Sequence, residues 1–140
     1  MTVNPYLNFN GNCELAFNFY KSVFGGEFSY LGRFNEMPPQ EGMPPLPDKE
    51  GNRIMHVTLP IGGDTVLMGS DTLTFSGDVN FGNNISMSIN ASSREEADTL
   101  FNKLSAGGTV TMPLAETFWG AYFGMCTDKF GVHWMMNYDM

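Results

Sequence analysis

Positive charge is scarce in this chain, and so are the side chains that most often carry acid–base or metal chemistry. Seven Lys and Arg stand against fifteen Asp and Glu, for a formal net charge of -8 and a pI near 4.5. Nucleic-acid affinity is carried by cations that neutralise phosphates, and anionic membranes attract proteins in the same way, so neither partner is expected. Only two Cys and two His are present. Cys13 and Cys126 lie far apart without zinc-type spacing, and neither has a His at a recognisable catalytic spacing. Reduced, packed thiols are expected, with a disulfide or a reactive thiol as the alternative. No apolar run approaches the length of a membrane span, and Met1-Thr2-Val3-Asn4-Pro5 has no basic segment leading into an apolar one. The expectation is therefore a cytoplasmic protein. A phosphate-cradling glycine loop after a strand and a G-x-S-x-G elbow are also missing.

What is present is a repeated plan. A chain of 140 residues, 42% hydrophobic and 14% aromatic, is long enough for one domain with a real core and too apolar to be disordered. With a displacement of about 80 residues, Asn4 falls on Asn84, Leu7 on Met87, Phe9 on Ile89 and Asn10 on Asn90. One further residue of slip brings Ala16 onto Ala97, Phe19 onto Leu100, Tyr20 onto Phe101 and Val23 onto Leu104. We read residues 1–140 as a single domain of two modules, about 1–80 and 81–140. Two copies related by a rough two-fold are expected to enclose a space between their sheets, where a ligand would sit.

Alternation places a strand over Val3 to Phe9, with Leu7 and Phe9 on one face and Asn4, Tyr6 and Asn8 on the other. Cys13, Ala16, Phe17, Tyr20, Val23 and Phe24 then recur at helical spacing, and Gly25-Gly26 ends the helix. Strands are predicted over Glu27 to Phe34, Arg53 to Pro60 and Asp64 to Asp71, the last two joined by a glycine hairpin turn at Ile61-Gly62-Gly63. In the second copy Ile85, Met87 and Ile89 alternate with Asn84, Ser86, Ser88 and Asn90. Ser92 or Ser93 caps a helix with Glu95 and Glu96 in its first turn and Gly107-Gly108 at its end. Strands near Thr109 to Met112, Ala121 to Thr127 and Val132 to Tyr138 complete it. Between the second and third strands, residues 35–52 carry Met37-Pro38-Pro39 and Met43-Pro44-Pro45-Leu46-Pro47. Proline at this density favours an irregular path, read either as a mobile surface loop or as a lid or partner-contacting arm.

Several segments together resemble one family: Pro5-Tyr6-Leu7-Asn8-Phe9-Asn10-Gly11, Phe19-Tyr20 leading to Phe24-Gly25-Gly26-Glu27, Ile54-Met55-His56, Leu67-Met68-Gly69-Ser70-Asp71, Ala106-Gly107-Gly108, Phe118-Trp119-Gly120, and Asp128-Lys129-Phe130-Gly131-Val132-His133-Trp134. In this order, over nearly the whole chain, they resemble the PhnB-like branch of the vicinal oxygen chelate superfamily, which includes glyoxalase I, extradiol dioxygenases and bleomycin resistance proteins. The resemblance implies an α+β glyoxalase-like fold: two repeated β-α-β-β-β modules forming curved mixed sheets, helices outside, usually assembled as a homodimer. Metal-using members carry His, Gln or Glu ligands on the first and last strands of each module. By strand register those positions fall here on Asn4 (or Pro5), Met68, Asn84 and Met135. Two thioethers and two amides match no common catalytic metal, so neither a metal nor another cofactor is expected.

The pocket is expected to survive that loss. Asn4, Tyr6, Asn8, Asn84, Ser86 and Ser88 offer neutral donors and acceptors if they face inward, beside soft walls at Met68 and Met135; the alternative is that they face solvent along open sheet edges. Trp119 and Tyr122 belong to a segment resembling the family's aromatic pocket rim, with Tyr122 where many relatives carry arginine; core packing explains Trp119 equally well. His56, which alternation places on one face with Ile54 and Thr58, and His133 are the candidate general bases, with Asp71 or Glu116 as a candidate carboxylate partner. The functional expectation is a protein that holds a small neutral, partly apolar ligand without the superfamily's metal site. The alternatives are a lyase or isomerase using a His base or a displaced metal site, and a non-catalytic protein-interaction module. Relatives of this kind are sometimes labelled methyltransferases, but no glycine-rich nucleotide loop opens a β-α unit here.

Overall fold

Alternating apolar residues and a helical apolar stripe, repeated in each half of the chain, build one sheet and one covering helix per half. The structure, a computed structural model, describes residues 1–38, 42 and 45–140. Two compact units result, Met1–Asn80 and Phe81–Met140. The first contains β1 (Tyr6–Phe9), α1 (Cys13–Phe24), β2 (Tyr30–Arg33), a four-residue helix α2 (Asp48–Gly51), β3 (Ile54–Gly62) and β4 (Thr65–Asp71). Its sheet runs β1-β4-β3-β2, with β1 and β4 parallel and the other pairs antiparallel. One face is covered by α1, whose buried stripe is Cys13, Ala16, Phe17, Tyr20 and Val23, and the core is shared with Phe9, Val57, Leu59 and Leu67. Gly69 permits this closeness, since a Cβ there would lie 2.6 Å from Phe17 Cε1 and 2.8 Å from the Leu7 carbonyl oxygen.

α1 is not capped by its own N-cap residue, Asn12, whose side chain makes no capping bond. Instead Asp71, at the end of β4 and 4% exposed, accepts hydrogen bonds from the backbone N–H groups of Gly11 and Cys13 on Oδ1 and of Ile54 on Oδ2, each at 2.9 Å. A single carboxylate thus joins the start of α1, the end of β4 and the start of β3, and it occupies the place where a helix N-terminus would otherwise receive an anion.

The second unit repeats the plan: β5 (Met87–Asn90), α3 (Arg94–Ser105), β6 (Thr109–Glu116), β7 (Ala121–Thr127) and β8 (His133–Asp139), in sheet order β5-β8-β7-β6. Here the cap comes from the helix itself. Ser93 Oγ accepts the Glu96 N–H at 3.1 Å, while Glu96 Oε1 accepts the Ser92 N–H at 3.0 Å. Ala97, Phe101 and Leu104 of α3 are buried together with Cys126, Trp134 and Met136. In the β7–β8 turn the buried Asp128 accepts the N–H groups of Phe130 and Val132 and the Trp134 indole N–H. Both cysteines are free and buried.

The expected curvature is corrected. Each sheet is an open, four-stranded one, neither curved nor closed. Closing a sheet on itself takes about eight strands with a consistent stagger, and here β1 and β2 of one sheet, and β5 and β6 of the other, are edges, with no further partner strand among the described residues. Strand limits also shift. The first begins at Tyr6, not Val3, although the Pro5 carbonyl still accepts the Met68 N–H at 3.2 Å. β6 continues beyond Met112 through Pro113 to Glu116, with register shifts on both sides of Met112. An edge strand tolerates a residue that cannot donate to a ladder. Of the proline-rich segment, Pro39, Gln40, Glu41, Met43 and Pro44 lie outside the described residues, and the lid or arm reading of that segment lies there with them.

Candidate functional site

Directly opposed residues on neighbouring strands project to the same side of a sheet, so the register defines what the uncovered face of each unit presents. In the first unit one row runs Tyr6, Met68, Thr58, Tyr30 across β1, β4, β3 and β2. The next row contains Asn8 and Ser70 on β1 and β4, and His56 and Gly32 on β3 and β2. His56 joins the two rows. Tyr6 Oη lies 3.0 Å from His56 Nδ1, with the rings stacked at 5.5 Å between centroids, and the Tyr30 ring closes the other flank at 5.8 Å. Thr58 Oγ1 lies 2.8 Å from His56 Nε2. Tyr30 folds flat over Gly32, where a Cβ would be 2.6 Å from the phenol oxygen, so the glycine makes room for the ring. Tyr6 is 44% and Tyr30 50% exposed, which leaves their outer faces open to an incoming molecule.

Both ring nitrogens of His56 are thus engaged by hydroxyls, and hydroxyls donate or accept as required. Tyr6 donating to Nδ1 leaves Nε2–H donating to Thr58; the reversed arrangement is equally well formed. Asn8 Oδ1 accepts the Ser70 hydroxyl hydrogen at 3.3 Å, and Asn4 Oδ1 accepts the Val66 N–H at 3.3 Å. Ile54 does not share this face. A register shift at Gly32/Arg33 leaves it in the core with Val57, 1% exposed.

The second unit's uncovered face carries Ser88, Met135, Met125 and Met112 in one row across β5, β8, β7 and β6. His133 is on this face, with Thr127 Oγ1 2.9 Å from Nδ1 and the Gly82 carbonyl oxygen 3.0 Å from Nε2. Since a carbonyl only accepts, Nε2 carries the proton and Nδ1 of the neutral ring accepts from Thr127. Asn84 and Ser86 precede β5 and are exposed. Trp119 sits in the exposed β6–β7 turn, edge-on to Phe118 at 5.0 Å and to Phe123 at 6.2 Å.

Tyr122 lies on the opposite, α3-covered side. Its hydroxyl donates to Asp98 Oδ1, and the Arg94 guanidinium rests 4.1 Å above its ring while pairing with Glu116. The bond to Asp98, then burial, raises the phenol above its usual value. The structure therefore brings Tyr6, Asn8, His56 and Met68 together within the first unit and Ser88, His133 and Met135 together within the second, where Tyr122 lies on the other side of the sheet. The carboxylates considered as histidine partners are committed elsewhere: Asp71 to backbone amides and Glu116 to Arg94. Sequence reasoning placed Thr58 beside His56 but gave it no role in the site, and it gave none to Tyr30 or Ser70. The only signal for Tyr30 was its place two residues before Gly32, and that needs the β2–β3 register to be read.

A polar groove of about 370 Å³ lies elsewhere in the first unit, lined among others by Asn10, Asn12, Glu14, Lys49 and Arg53. Glu14 is held there in a bidentate pair with Arg33 at 2.7 and 3.1 Å, and Arg53 donates to the Thr72 carbonyl at 2.7 Å.

A family model described as 3-demethylubiquinone-9 3-methyltransferase matches residues 1–137. Protein YjdN of Escherichia coli K12 is 35% identical over 98% of this chain and 95% of its own length. The crystal structure of protein PA1353 from Pseudomonas aeruginosa superposes with a TM-score of 0.84 at 40% identity, covering 99% and 98% of the two chains. A Bacillus cereus structure, described as a putative 3-demethylubiquinone-9 3-methyltransferase, PhnB protein, gives 0.76 at 28% identity, covering 99% of each chain. The chain belongs to the PhnB-like branch of the vicinal oxygen chelate superfamily.

The superfamily's metal does not fit the residues at its expected positions. Asn4 has its carbonyl oxygen committed to Val66 N–H, and Met68 and Met135 offer only thioether sulfur, a poor ligand for the harder ions of that chemistry. Among the described residues no group of three or more His, Cys, Asp or Glu is placed to hold a metal ion.

Proposed function

We propose that this PhnB-like protein binds a small neutral, partly apolar molecule on the uncovered face of the first unit's sheet, against Tyr6, Tyr30, His56 and Met68. The observation that carries this reading is the half-exposed Tyr6–His56–Tyr30 cluster. Aromatic faces and a soft thioether favour apolar or aromatic groups. The polar groups beside them, Asn8, Thr58 and Ser70, are all uncharged. An ionic ligand would lose its hydration there without an ion-pair partner in the rows. In this reading the uncovered face of the second unit, with Asn84, Ser86, Ser88 and Met135, is a companion surface, and the protein works as a cytoplasmic homodimer. The test is a fragment set of matched neutral, anionic and cationic aromatics, read by the ¹³C shift of the Met68 methyl. Neutral members should move it, and the response should vanish in Tyr30→Ala. A preference for anions, or stoichiometric Ni, Zn, Fe or Mn in the purified protein, would overturn the proposal.

The Tyr6 Oη–His56 Nδ1 contact favours a second reading, in which the pair exchanges a proton with a carbon acid next to the carbonyl of a bound neutral ketone. His56 would take the proton and Tyr6 would hydrogen-bond the enolate oxygen. The measurement is deuterium incorporation into a ketone that the Met68 assay shows to bind. Incorporation should fall in both His56→Gln and Tyr6→Phe. Binding without incorporation in the wild type sinks the catalytic reading and leaves the binding one.

A further inference from the structure

The second unit's uncovered face differs in kind from the first. Cross-strand register places Met112 opposite Met125, and Met125 opposite Met135, so three methionines of three adjacent strands project side by side from one face. Met112 is 46% exposed, and Met125 and Met135 are half-buried. Opposed residues are about 5 Å apart at Cα. A methionine side chain has three rotatable bonds, enough for the outer two sulfurs to lean over Met125. The register shifts flanking Met112 matter here, because without them β6 would present a different residue beside Met125.

We propose that Met112, Met125 and Met135 form a three-thioether site for a soft monovalent d¹⁰ cation, Cu(I) or its redox-inert analogue Ag(I). Thioether sulfur is a soft ligand that suits such ions, and it has little affinity for Zn(II), Mn(II) or Mg(II). The uncharged ligand set neutralises none of the cation's charge, and the chain's net charge of -8 favours the approach of a cation. The competing soft ligands are the two thiols, but both are buried, and burial pushes the Cys126 thiol up to about 11 and raises that of Cys13 as well. His133 is two residues from Met135 on the same face, with both ring nitrogens already engaged by Thr127 and Gly82. The site shares Met135 with the companion surface of the neutral-ligand proposal but not the Tyr6–His56–Tyr30 cluster that carries that proposal.

A thioether has no proton to lose in the accessible range, so binding should release none. Thiolate and imidazole sites weaken in acid, because their ligands must first be deprotonated. The experiment titrates the full chain with Ag(I), and with Cu(I) against a chromophoric Cu(I) chelator under reductant, at pH 5, 6, 7 and 8. One equivalent should bind with an affinity that is flat across the range, with shifts at the Met112, Met125 and Met135 methyl carbons. Met125→Leu keeps the apolar surface and deletes the central sulfur, and it should weaken binding by at least roughly tenfold. Met140→Leu, an exposed methionine outside the row, should leave it unchanged. Undiminished binding in Met125→Leu, affinity rising steeply with pH, or no stoichiometric binding would each overturn the site. Circular dichroism of Met125→Leu separates ligand loss from misfolding, and Met112→Leu supplies a second variant on the edge strand.

Discussion

Replacing Asp71 should cost several kcal/mol of stability, because its carboxylate answers three backbone donors, two at the start of α1 and one at the start of β3. In Asp71→Ala the Cys13 and Ile54 amides are stranded in buried surroundings, whereas Gly11 is exposed enough for water to reach it. An unsatisfied buried donor costs about 1–3 kcal/mol. Losing a negative charge at the start of α1 adds about 0.5 kcal/mol. Together these give roughly 4 kcal/mol, a large part of the roughly 5–15 kcal/mol that holds a typical domain folded. Asp71→Asn keeps one carbonyl oxygen for Gly11 and Cys13 but turns an NH₂ toward the Ile54 N–H, two donors facing each other. It should cost about half as much. Urea denaturation followed by far-UV circular dichroism gives the free energies, and native-state hydrogen exchange at Cys13 and Ile54 localises the loss. A change in Asp71→Ala below about 1 kcal/mol, or unchanged protection at those amides, would refute the reasoning.

Other outcomes follow from single contacts. Gly69→Ala must force apart Phe17 and the Leu7 carbonyl, at 2.6 and 2.8 Å from the new Cβ, and should destabilise by about 1–3 kcal/mol in the same urea assay. The Arg33 guanidinium beside Glu14 holds that carboxyl below its ordinary value of 4.5. Because the folded value is the depressed one, the pair's contribution is present above about pH 4.5 and is lost as pH falls through the folded value. Arg33→Met should therefore flatten the acid limb of the stability–pH curve and leave its alkaline limb alone. Tyr122 is raised by its bond to Asp98, so that contribution is present below pH 10 and lost as pH climbs through the folded value. In an ultraviolet titration the Tyr122 phenol should ionise above its ordinary value, and Asp98→Ala should bring it down. Cys13 and Cys126 should resist a thiol reagent at pH 8 until urea unfolds the chain, and prompt reaction of the native protein would contradict their burial.

The fold was legible because both of its signals are periodic. The helical spacing from Cys13 to Phe24 and the alternation from Leu67 to Asp71 are properties of local sequence, and α1 and β4 appear where those patterns lie. Strand ends were less so. Pro5 has no N–H for a ladder, and Pro113 is tolerated only because β6 is an edge, which depends on strand order and not on local pattern. Curvature was carried by the family resemblance alone and had no residue-level basis. The site was half legible for a similar reason. Strict alternation put Asn4, Tyr6 and Asn8 on one face of the first strand and His56 with Thr58 on one face of the third, but it also put Ile54 beside His56, and the register shift at Gly32/Arg33 undoes that. Tyr122 was misplaced because adjacent residues of a strand face opposite sides, and a rim assignment by resemblance does not say which side.

The two uncovered faces show how one duplicated plan can hold different chemistry. The row through Met68 is bounded by Tyr6 and Tyr30, and the row through Met135 by Ser88 and Met112. The four-strand order is the same in both sheets, and each row has a methionine on the strand that pairs parallel with the first. On the uncovered side a substitution costs little core energy. The covered sides cannot vary so freely. Gly69 must admit Phe17, and Gly124 must admit the Leu114 backbone at 2.9 Å. Specificity in such a fold is set by alternate residues of otherwise constrained strands. This is why family membership fixes the scaffold here, while the two proposed sites rest on Tyr6, Tyr30 and His56 in one unit and on the methionines in the other.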